Sequence, residues 1–431
     1  MRSSPGMNRS VGRLRLQVLG VLLIGGVVAA CSSSPAPTVA PSRSPAATSA
    51  PASPRPTGPE SPTAGSPAPA TPPSSAAKPT PSPSPSPTPT PTLGRTATLT
   101  QQQLVGQRIV YSYPGLTPPA ALLQHIRAGE AAGVIFFGQN ISSPAQLGSA
   151  IAELRQAQAD SPVHEPLLLM TDQEGGQVRR LPGAPALSAK QIGQTGDPSA
   201  AASAGSAAAQ NLAGVGMNVN LAPVLDVLHG AGDFIDQTQR SFSDNPSVVT
   251  AMGRAFITAQ QHGGVAATAK HFPGLGAAAA NQNTDLGPVT LNERLTTLRN
   301  VDEAPYPAAI SAGVKLIMVS WATYPALDPA HPAGLSAPVV QQELRGRLGF
   351  TGVTITDALE AKALDAFGTT GQRAVAAAGS GMDLLLCSAQ DVGQGESAAG
   401  ALASALNSGQ LDLSAFRAAA DRVTTLRAGL H

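Results

Sequence analysis

The sequence predicts an α/β protein: a single (β/α)8 barrel behind a disordered Pro/Ser/Thr/Ala-rich tether. Three observations favour this fold class. Residues 32–93 carry 20 of the 40 prolines of the 431-residue chain and almost no large apolar side chain, so they cannot bury a core. From residue 99 onward, eight short apolar runs alternate with Ala-rich segments of helical period. Polar residues follow several of these runs, at the ends of strands where (β/α)8 barrels carry their functional groups.

The eight apolar runs are bounded by Gly, Pro or Asn, which is typical of buried strands. They span residues 108–113, 133–138, 166–172, 217–226, 265–273, 315–322, 352–358 and 381–388. Segments with a helical pattern lie at 143–159, 198–215, 247–262, 339–349, 371–379 and 413–430. Because both faces of each run are apolar, a closed barrel of parallel strands covered by helices fits better than an open doubly wound sheet. We therefore predict one folded domain over residues 99–431.

The charges of this folded part argue against nucleic acid as a partner. Residues 99–431 hold 19 Lys and Arg against 25 Asp and Glu, a mildly acidic balance. The seven histidines show no HxH or HExxH spacing, and Cys31 and Cys387 have no CxxC or Cys/His neighbours. A metal-dependent hydrolase is therefore disfavoured, and we expect no cofactor. The GxGxxA match at 274–279 is a weak dinucleotide signal, because the polar residues 281–283 leave little room for a phosphate-binding helix.

The N-terminus has the pattern of an export signal. Four arginines within the first 15 residues precede an apolar stretch over 16–30, which is too short for a stable membrane span. The residues Val28-Ala29-Ala30-Cys31 resemble the lipobox of bacterial lipoproteins, which implies that residues 1–30 are removed and Cys31 is lipidated. The resemblance implies an extracytoplasmic protein anchored to the membrane through that lipid. At ~3.1 Å per residue, the tether over 31–98 would reach roughly 100 to 190 Å, the scale of a cell wall.

Three segments of the folded part carry a family resemblance. They read TDQEGGQVRR at 171–180, KHFPG at 270–274 and VTITDAL at 353–359. In this order and spacing they resemble the family 3 glycoside hydrolases, specifically the single-domain bacterial β-N-acetylglucosaminidases, over nearly all of 99–431. The resemblance implies an enzyme that releases terminal β-linked N-acetylglucosamine from cell-wall-derived or related glycans, and we expect a monomer. It implies a retaining, double-displacement reaction that requires no cofactor.

The resemblance assigns roles position by position. Asp357, at the end of the seventh run, matches the catalytic nucleophile of the family, although it would also serve well as a helix N-cap. The residues that match the sugar-holding set of the family are Asp172, Arg180, Arg240, Lys270 and His271. Asp226 falls in a family-like segment and is expected mainly to orient its neighbours.

One loop departs from the family pattern. The family carries an Asp-x-His acid/base dyad in the loop after KHFPG, but Asn281 and Asn283 stand at those positions here. An asparagine amide cannot exchange a proton near neutral pH, so it cannot protonate a leaving sugar. Asp285, two residues further on, is the candidate substitute acid/base. Two functions therefore remain open: an active glycosidase that uses Asp285, or a catalytically weak or silent sugar-binding wall lipoprotein.

Overall fold

The computed structural model describes residues 94–430. The predicted signal peptide and Cys31, with its expected lipid, lie outside these residues, as does the tether as far as residue 93. The described chain enters the domain at Thr96, whose backbone N–H and hydroxyl both donate to the carboxylate of Asp421 at 2.9 Å. Asp421 lies in the last helix, Leu413–Ala428.

Eight parallel strands close into a barrel, which confirms the predicted fold class. In chain order they are β1 Ile109–Tyr111, β2 Gly133–Ile135, β3 Leu168–Thr171, β4 Val219–Asn220, β5 Ala266–Phe272, β6 Leu316–Val319, β7 Val353–Ala358 and β8 Leu384–Leu386. Each strand pairs with its predecessor and successor, and β8 pairs with β1 to complete the ring. All eight predicted runs contain one of these strands.

Helices surround the barrel and two short hairpins extend from it. The helices are Gln101–Gly106, Ala120–Ala128, Pro144–Ala159, Ala189–Gly193, Pro198–Ala213, Phe234–Gln237, Pro246–His262, Leu295–Thr297, Tyr306–Ser311, Thr370–Ser380, Val392–Asn407 and Leu413–Ala428, with wider π-type turns at Leu298–Asp302 and Pro338–Arg347. Short 3-10 turns lie at Gly138–Asn140, Ala333–Leu335 and Lys362–Phe367, and the hairpins pair Gln173–Gly175 with Val178–Arg179 and Thr323–Tyr324 with Asp328–Pro332. Side-chain caps begin several long helices: the Ser143 hydroxyl, for example, accepts the Gln146 N–H.

The fourth strand is shorter than the sequence predicts. A strand over 217–226 was expected, but regular pairing covers only Val219–Asn220. Pro223 lacks the N–H that a continuing ladder would need. The chain nevertheless stays beside β5, because the Leu225 N–H donates to the Lys270 carbonyl at 2.7 Å. This irregular extension brings Asp226 to the end of β5.

Apolar side chains fill the barrel interior. Val110, Ile135, Leu168, Met170, Val219, Leu221, Leu316, Met318, Val353, Ile355, Leu384 and Leu386 form one buried cluster, which Val423 and Leu426 of the last helix join. A second, larger cluster packs the outer faces of the strands against the helices. A filled barrel has no channel, so ligands reach only its rims. None of the helices within 94–430 has the length and apolarity that crossing a bilayer requires.

Candidate active site

A cavity of about 380 Å³ opens at the C-terminal ends of the strands. All seven side chains predicted for the site line it: Asp172, Arg180, Arg240, Lys270, His271, Asp285 and Asp357. A larger cavity, about 660 Å³, lies at the opposite end of the barrel, beside Lys315, Val353 and the last helix. It contains none of the predicted site residues, so the smaller cavity is the candidate active site.

Buried ion pairs organise one side of this pocket. Asp172 directly follows β3, and the Lys270 ammonium donates to its Oδ1 at 2.7 Å. The same ammonium lies 2.8 Å from Glu174 Oε1. Glu174 in turn accepts two hydrogen bonds from the Arg240 guanidinium, at 2.9 and 2.8 Å. Arg180 completes the set with a longer approach, 3.9 Å, to Asp172 Oδ2.

These partners keep the buried side chains charged. Burial alone would raise the pKa of Glu174, but Arg240 and Lys270 outweigh it and hold that pKa well below its usual range. Burial would likewise lower the pKa of Lys270, but the carboxylates of Asp172 and Glu174 outweigh it and raise that pKa. Glu174 and Lys270 are therefore charged near neutral pH.

Glu174 is a site residue that sequence reasoning missed. It stands in the 171–180 motif, two positions after Asp172, and only its place in that motif was noted. Because side chains two positions apart in extended chain point to the same side, the spacing could have assigned both carboxylates to one face. Its bidentate pairing with Arg240, 66 residues away, is a tertiary contact that no local pattern contains.

His271 is oriented by Asp226. The Asp226 carboxylate lies 2.7 Å from His271 Nδ1 and also accepts the backbone N–H groups of His271 and Leu275, at 3.1 and 2.8 Å. Burial opposes the negative charge of Asp226, but His271 and these N–H donors outweigh it and lower the pKa of Asp226. Because Nδ1 is engaged, Nε2 is the ring nitrogen left for the pocket, 3.4 Å from Arg240 Nη2.

Asp357 has a different environment. It ends β7, is half-buried, and its Oδ1 accepts the N–H of Ala358 at 2.7 Å. Within residues 94–430 this is its one side-chain hydrogen bond, and no cationic side chain lies within ion-pair distance of it. A carboxylate that is free of ion pairs retains the lone pairs that a nucleophile needs.

Asn283 organises the turn that presents Asp285. The Asn283 side-chain oxygen accepts the backbone N–H of Asp285 at 2.8 Å, and its carbonyl accepts the N–H groups of Leu286 and Gly287. Asn281 is exposed and does not line the pocket. The residue at the position of the family histidine therefore supports Asp285 through a backbone contact.

The loop that carries Asp285 rests on the segment that follows β7. The Ala363 N–H donates to the Thr284 carbonyl at 3.0 Å, and the Lys362 N–H approaches the Asp285 carbonyl at 3.4 Å. Asp285 is solvent-exposed, and it lines the same pocket as Asp357. The two carboxyl groups thus belong to segments joined through their backbones.

The surroundings of Asp285 favour its protonated form. Desolvation has the largest effect, and the negative charges of Asp357 and Glu360 add to it, which together raise the pKa of Asp285 to about 6. His271 and Arg240 oppose this shift. A carboxylic acid with this pKa can both give and take a proton near neutral pH.

Glu360 and Gln390 are two of the pocket residues that were not predicted. Glu360 lies three positions after Asp357, and its carboxylate accepts hydrogen bonds from Ser388 and Gln394. Gln390 has a φ of 59°, in the left-handed region that side chains other than glycine rarely adopt, and its buried Oε1 has no partner among residues 94–430. A single sequence gives no sign that these two residues belong to the pocket, because the partners of Glu360 lie about 30 residues away. Across residues 94–430, no three His, Cys, Asp or Glu side chains group as a metal site.

Comparison with known proteins places these features in context. Residues 102–426 match the profile of the Glycosyl hydrolase family 3 N terminal domain. An uncharacterized secreted glycosyl hydrolase of Arthroderma benhamiae is 46% identical over 328 residues, which are 75% of this chain and 92% of that protein.

Solved structures of similar proteins share the fold. A family 3 β-N-acetylglucosaminidase from Paenibacillus superposes with a TM-score of 0.72 at 34% identity, over 77% of this chain and 63% of that one. A β-N-acetylhexosaminidase from Beutenbergia cavernae gives a TM-score of 0.68 at 30% identity, over 76% of this chain and 98% of that one. The described barrel thus corresponds to nearly the whole Beutenbergia chain and to just under two thirds of the Paenibacillus chain.

Proposed function

Because the chain belongs to glycosyl hydrolase family 3, we propose that it is a retaining β-N-acetylhexosaminidase-type O-glycosidase. It releases terminal β-linked N-acetylglucosamine from cell-wall-derived or related glycans. The observation that carries this proposal is the pairing of two carboxyl groups in one pocket: Asp357 without an ion pair, and Asp285 with its pKa raised to about 6. Retaining glycosidases need such a pair, one ionised carboxylate and one carboxylic acid.

In the first step, a carboxylate oxygen of Asp357 attacks the anomeric carbon. The bond from that carbon to the glycosidic oxygen breaks, and the proton of Asp285 passes to the departing oxygen. The products are a glycosyl ester on Asp357, an ionised Asp285 and the free leaving group. Asp285 replaces the missing Asp-x-His dyad in this step.

In the second step, Asp285 acts as the base. It takes a proton from water while the water oxygen attacks the anomeric carbon and displaces Asp357. The enzyme returns to its starting protonation state, and the sugar leaves with the β configuration that it had in the substrate. Atoms and charge balance without a cofactor.

The ion-paired side of the pocket binds the sugar. Asp172 offers carboxylate oxygens to neighbouring hydroxyl groups, and Lys270, Arg180 and Arg240 offer donors, with the His271 Nε2 beside them. The pocket volume of about 380 Å³ is near the lower end for small-molecule sites, which suits a single terminal sugar unit. The names of the Paenibacillus and Beutenbergia proteins support N-acetylglucosamine as that unit.

We further propose that the enzyme is an extracytoplasmic monomer that is lipid-anchored through Cys31 and reaches into the cell wall on its tether. The sequence pattern over residues 1–98 supports this location, and the Arthroderma relative is described as secreted. Metabolic labelling with a fatty-acid analogue tests it. We expect the label on the wild-type chain and none after Cys31→Ala; label on both variants would contradict the lipidation site.

Trapping of the covalent intermediate tests the function. A fluorinated N-acetylglucosaminide, which forms a glycosyl-enzyme but releases it slowly, should add one sugar mass to the protein, and peptide mapping should place it on Asp357. The Asp357→Asn variant is the matched control and should stay unmodified. A chain that binds N-acetylglucosamine but neither forms the adduct nor cleaves nitrophenyl glycosides would instead be the silent sugar-binding lipoprotein.

A further inference from the structure

Glu360 is a carboxylate of the active-site pocket to which the double-displacement scheme gives no role. It lines the cavity together with Asp285 and Asp357. The segment it begins also supports the Asp285 loop, through the Lys362 and Ala363 N–H groups. Glu360 is therefore joined to the acid/base loop by backbone contacts as well as by a shared cavity.

Three donors fix the Glu360 carboxylate. The Ser388 hydroxyl donates to Oε1 at 2.7 Å, while the Ser388 N–H and Gln394 Nε2 approach Oε2 at 3.3 and 3.0 Å. Both partners are 5% exposed and follow β8, so they form a rigid support. All three groups donate hydrogen bonds, so together they hold the carboxylate oxygens in one orientation.

No cation within residues 94–430 neutralises this charge at ion-pair distance. Four titratable groups act on Asp285: Asp357 at the end of β7, Glu360 after that strand, His271 on β5, and Arg240 on the loop after β4. The side chain of Lys362, which touches Asp285 through its backbone, is exposed to solvent.

Arg240 and His271 each have a carboxylate partner, whereas Asp357 and Glu360 have no cationic partner in the described part of the chain. Arg240 pairs with Glu174, and His271 with Asp226. Asp357 and Glu360 therefore supply the uncompensated field at Asp285, and that field favours a proton on its carboxyl group.

Building on the proposed glycosidase function, we propose that Glu360 is a positioning residue for the proton of Asp285. It is a fixed negative charge that favours a protonated Asp285 in the free enzyme. It acts again after Asp357 has been esterified. The ester no longer carries a charge, so Glu360 is then the remaining anion that makes Asp285 a strong enough base to take a proton from water.

The test is the pH profile of kcat/KM for Glu360→Gln. The amide is close in shape and can keep all three contacts, because its oxygen can accept from the Ser388 N–H and Gln394, and its NH2 can donate to the Ser388 hydroxyl. With a disaccharide of N-acetylglucosamine, whose leaving group needs a proton, we expect the decline of kcat/KM at high pH to begin at a lower pH than in the wild type. At pH 7 the loss should be roughly 3- to 10-fold, which corresponds to half to one pH unit.

A nitrophenyl glycoside provides the internal comparison, since its leaving group needs little protonation and its kcat/KM should change little. Glu396→Gln is the matched control: it removes the same charge from the helix Val392–Asn407, where Glu396 contacts His125 outside the pocket. Its profile should follow that of the wild type. If Glu360→Gln is too unstable to assay, Glu360→Ser removes the charge without an amide, and the same shift is expected.

The outcomes separate this inference from the proposed function. An active Glu360 variant with an unchanged decline of kcat/KM at high pH would overturn the inference and leave the glycosidase assignment intact. A wild-type protein that cleaves neither substrate would overturn the glycosidase assignment itself. Equal losses on both substrates at every pH would show that Glu360 only supports the fold, and would also overturn its role at Asp285.

Discussion

The two sides of the pocket differ in whether their charged side chains have ion-pair partners. On the side of β3 and β5, Asp172, Glu174 and Lys270 lie within 2.8 Å of an oppositely charged partner and are largely buried. On the side of β7, Asp357 and Asp285 have no cationic partner at ion-pair distance within residues 94–430. Ion-paired carboxylates resist protonation and covalent change, whereas unpaired ones allow both. The first side is therefore suited to holding a sugar and the second to reacting with it.

The largest effect is expected from Asp357→Asn, on the reactive side. The amide keeps the shape but cannot form the glycosyl ester, so kcat for a nitrophenyl N-acetylglucosaminide should fall by roughly 10⁴-fold or more. Asp365→Asn is the control, because that carboxylate pairs with Arg373 outside the pocket. Turnover within tenfold of wild type would remove Asp357 from the chemistry.

Asp285→Ala should show the next largest effect, and it should depend on the leaving group. For a disaccharide, the loss of the acid should cost roughly 10²- to 10⁴-fold in kcat/KM, and the loss for a nitrophenyl glycoside should be much smaller. Steady-state kinetics on both substrates measures the ratio. Equal losses would mean that Asp285 supports the loop rather than transferring a proton.

Glu174→Gln tests the binding side. It leaves Arg240 and Lys270 buried with one carboxylate fewer, so the free energy of unfolding should decrease by about 3 to 5 kcal/mol. Denaturant titration measures this, and KM for the nitrophenyl glycoside should rise as the sugar-holding groups move. Glu153→Gln, an acid of the helix Pro144–Ala159 outside the pocket, serves as control. An unchanged stability would show that the network does not act as a unit.

The pH dependence of kcat/KM for the wild-type enzyme should report on Asp285, on the reactive side of the pocket. The proposed first step requires a protonated Asp285, whose pKa is raised to about 6. For a disaccharide, kcat/KM should therefore decline above pH 6, approaching tenfold per pH unit, because the acid form is lost as pH rises through that pKa. A nitrophenyl glycoside should decline less. A disaccharide profile that stays flat to pH 8 would exclude Asp285 as the acid.

The smallest effect is expected from Asn283→Ala. The substitution removes the acceptor for the Asp285 N–H, a contact worth about 0.5 to 1.5 kcal/mol, so the disaccharide rate should fall roughly 2- to 10-fold. Asn281→Ala is the matched control, since Asn281 is exposed outside the pocket. Identical rates for the two variants would mean that the Asn283 side chain does not position Asp285.

The sequence was sufficient for the barrel and for the seven predicted side chains that line one pocket. Apolar runs of strand length mark every barrel strand, because a buried parallel strand must be apolar on both faces. The apolar run at 217–226 predicted a strand longer than the one observed. Its proline continues the apolar pattern but cannot continue the hydrogen-bonded pairing. The polar residues at strand ends could be assigned because the ends of parallel strands meet at one rim.

The pairings within the pocket could not be predicted in the same way. The bonds from Ser388 to Glu360 and from Arg240 to Glu174 join residues 28 and 66 positions apart. Such contacts depend on how the loops pack, and spacing along one chain does not encode that. The proton affinity of Asp285 follows from the same packing. The sequence could therefore identify Asp285 as a candidate but could not predict its raised pKa.

The contact between Thr96 and Asp421 fixes the end of the barrel at which the described chain enters. Asp421 lines the cavity at the N-terminal ends of the strands, whereas the active-site pocket opens at their C-terminal ends. The polypeptide thus joins the barrel at the pole remote from the pocket. The entering residues therefore leave the mouth of the pocket clear, so that the chain and the proposed substrate approach the barrel from opposite ends.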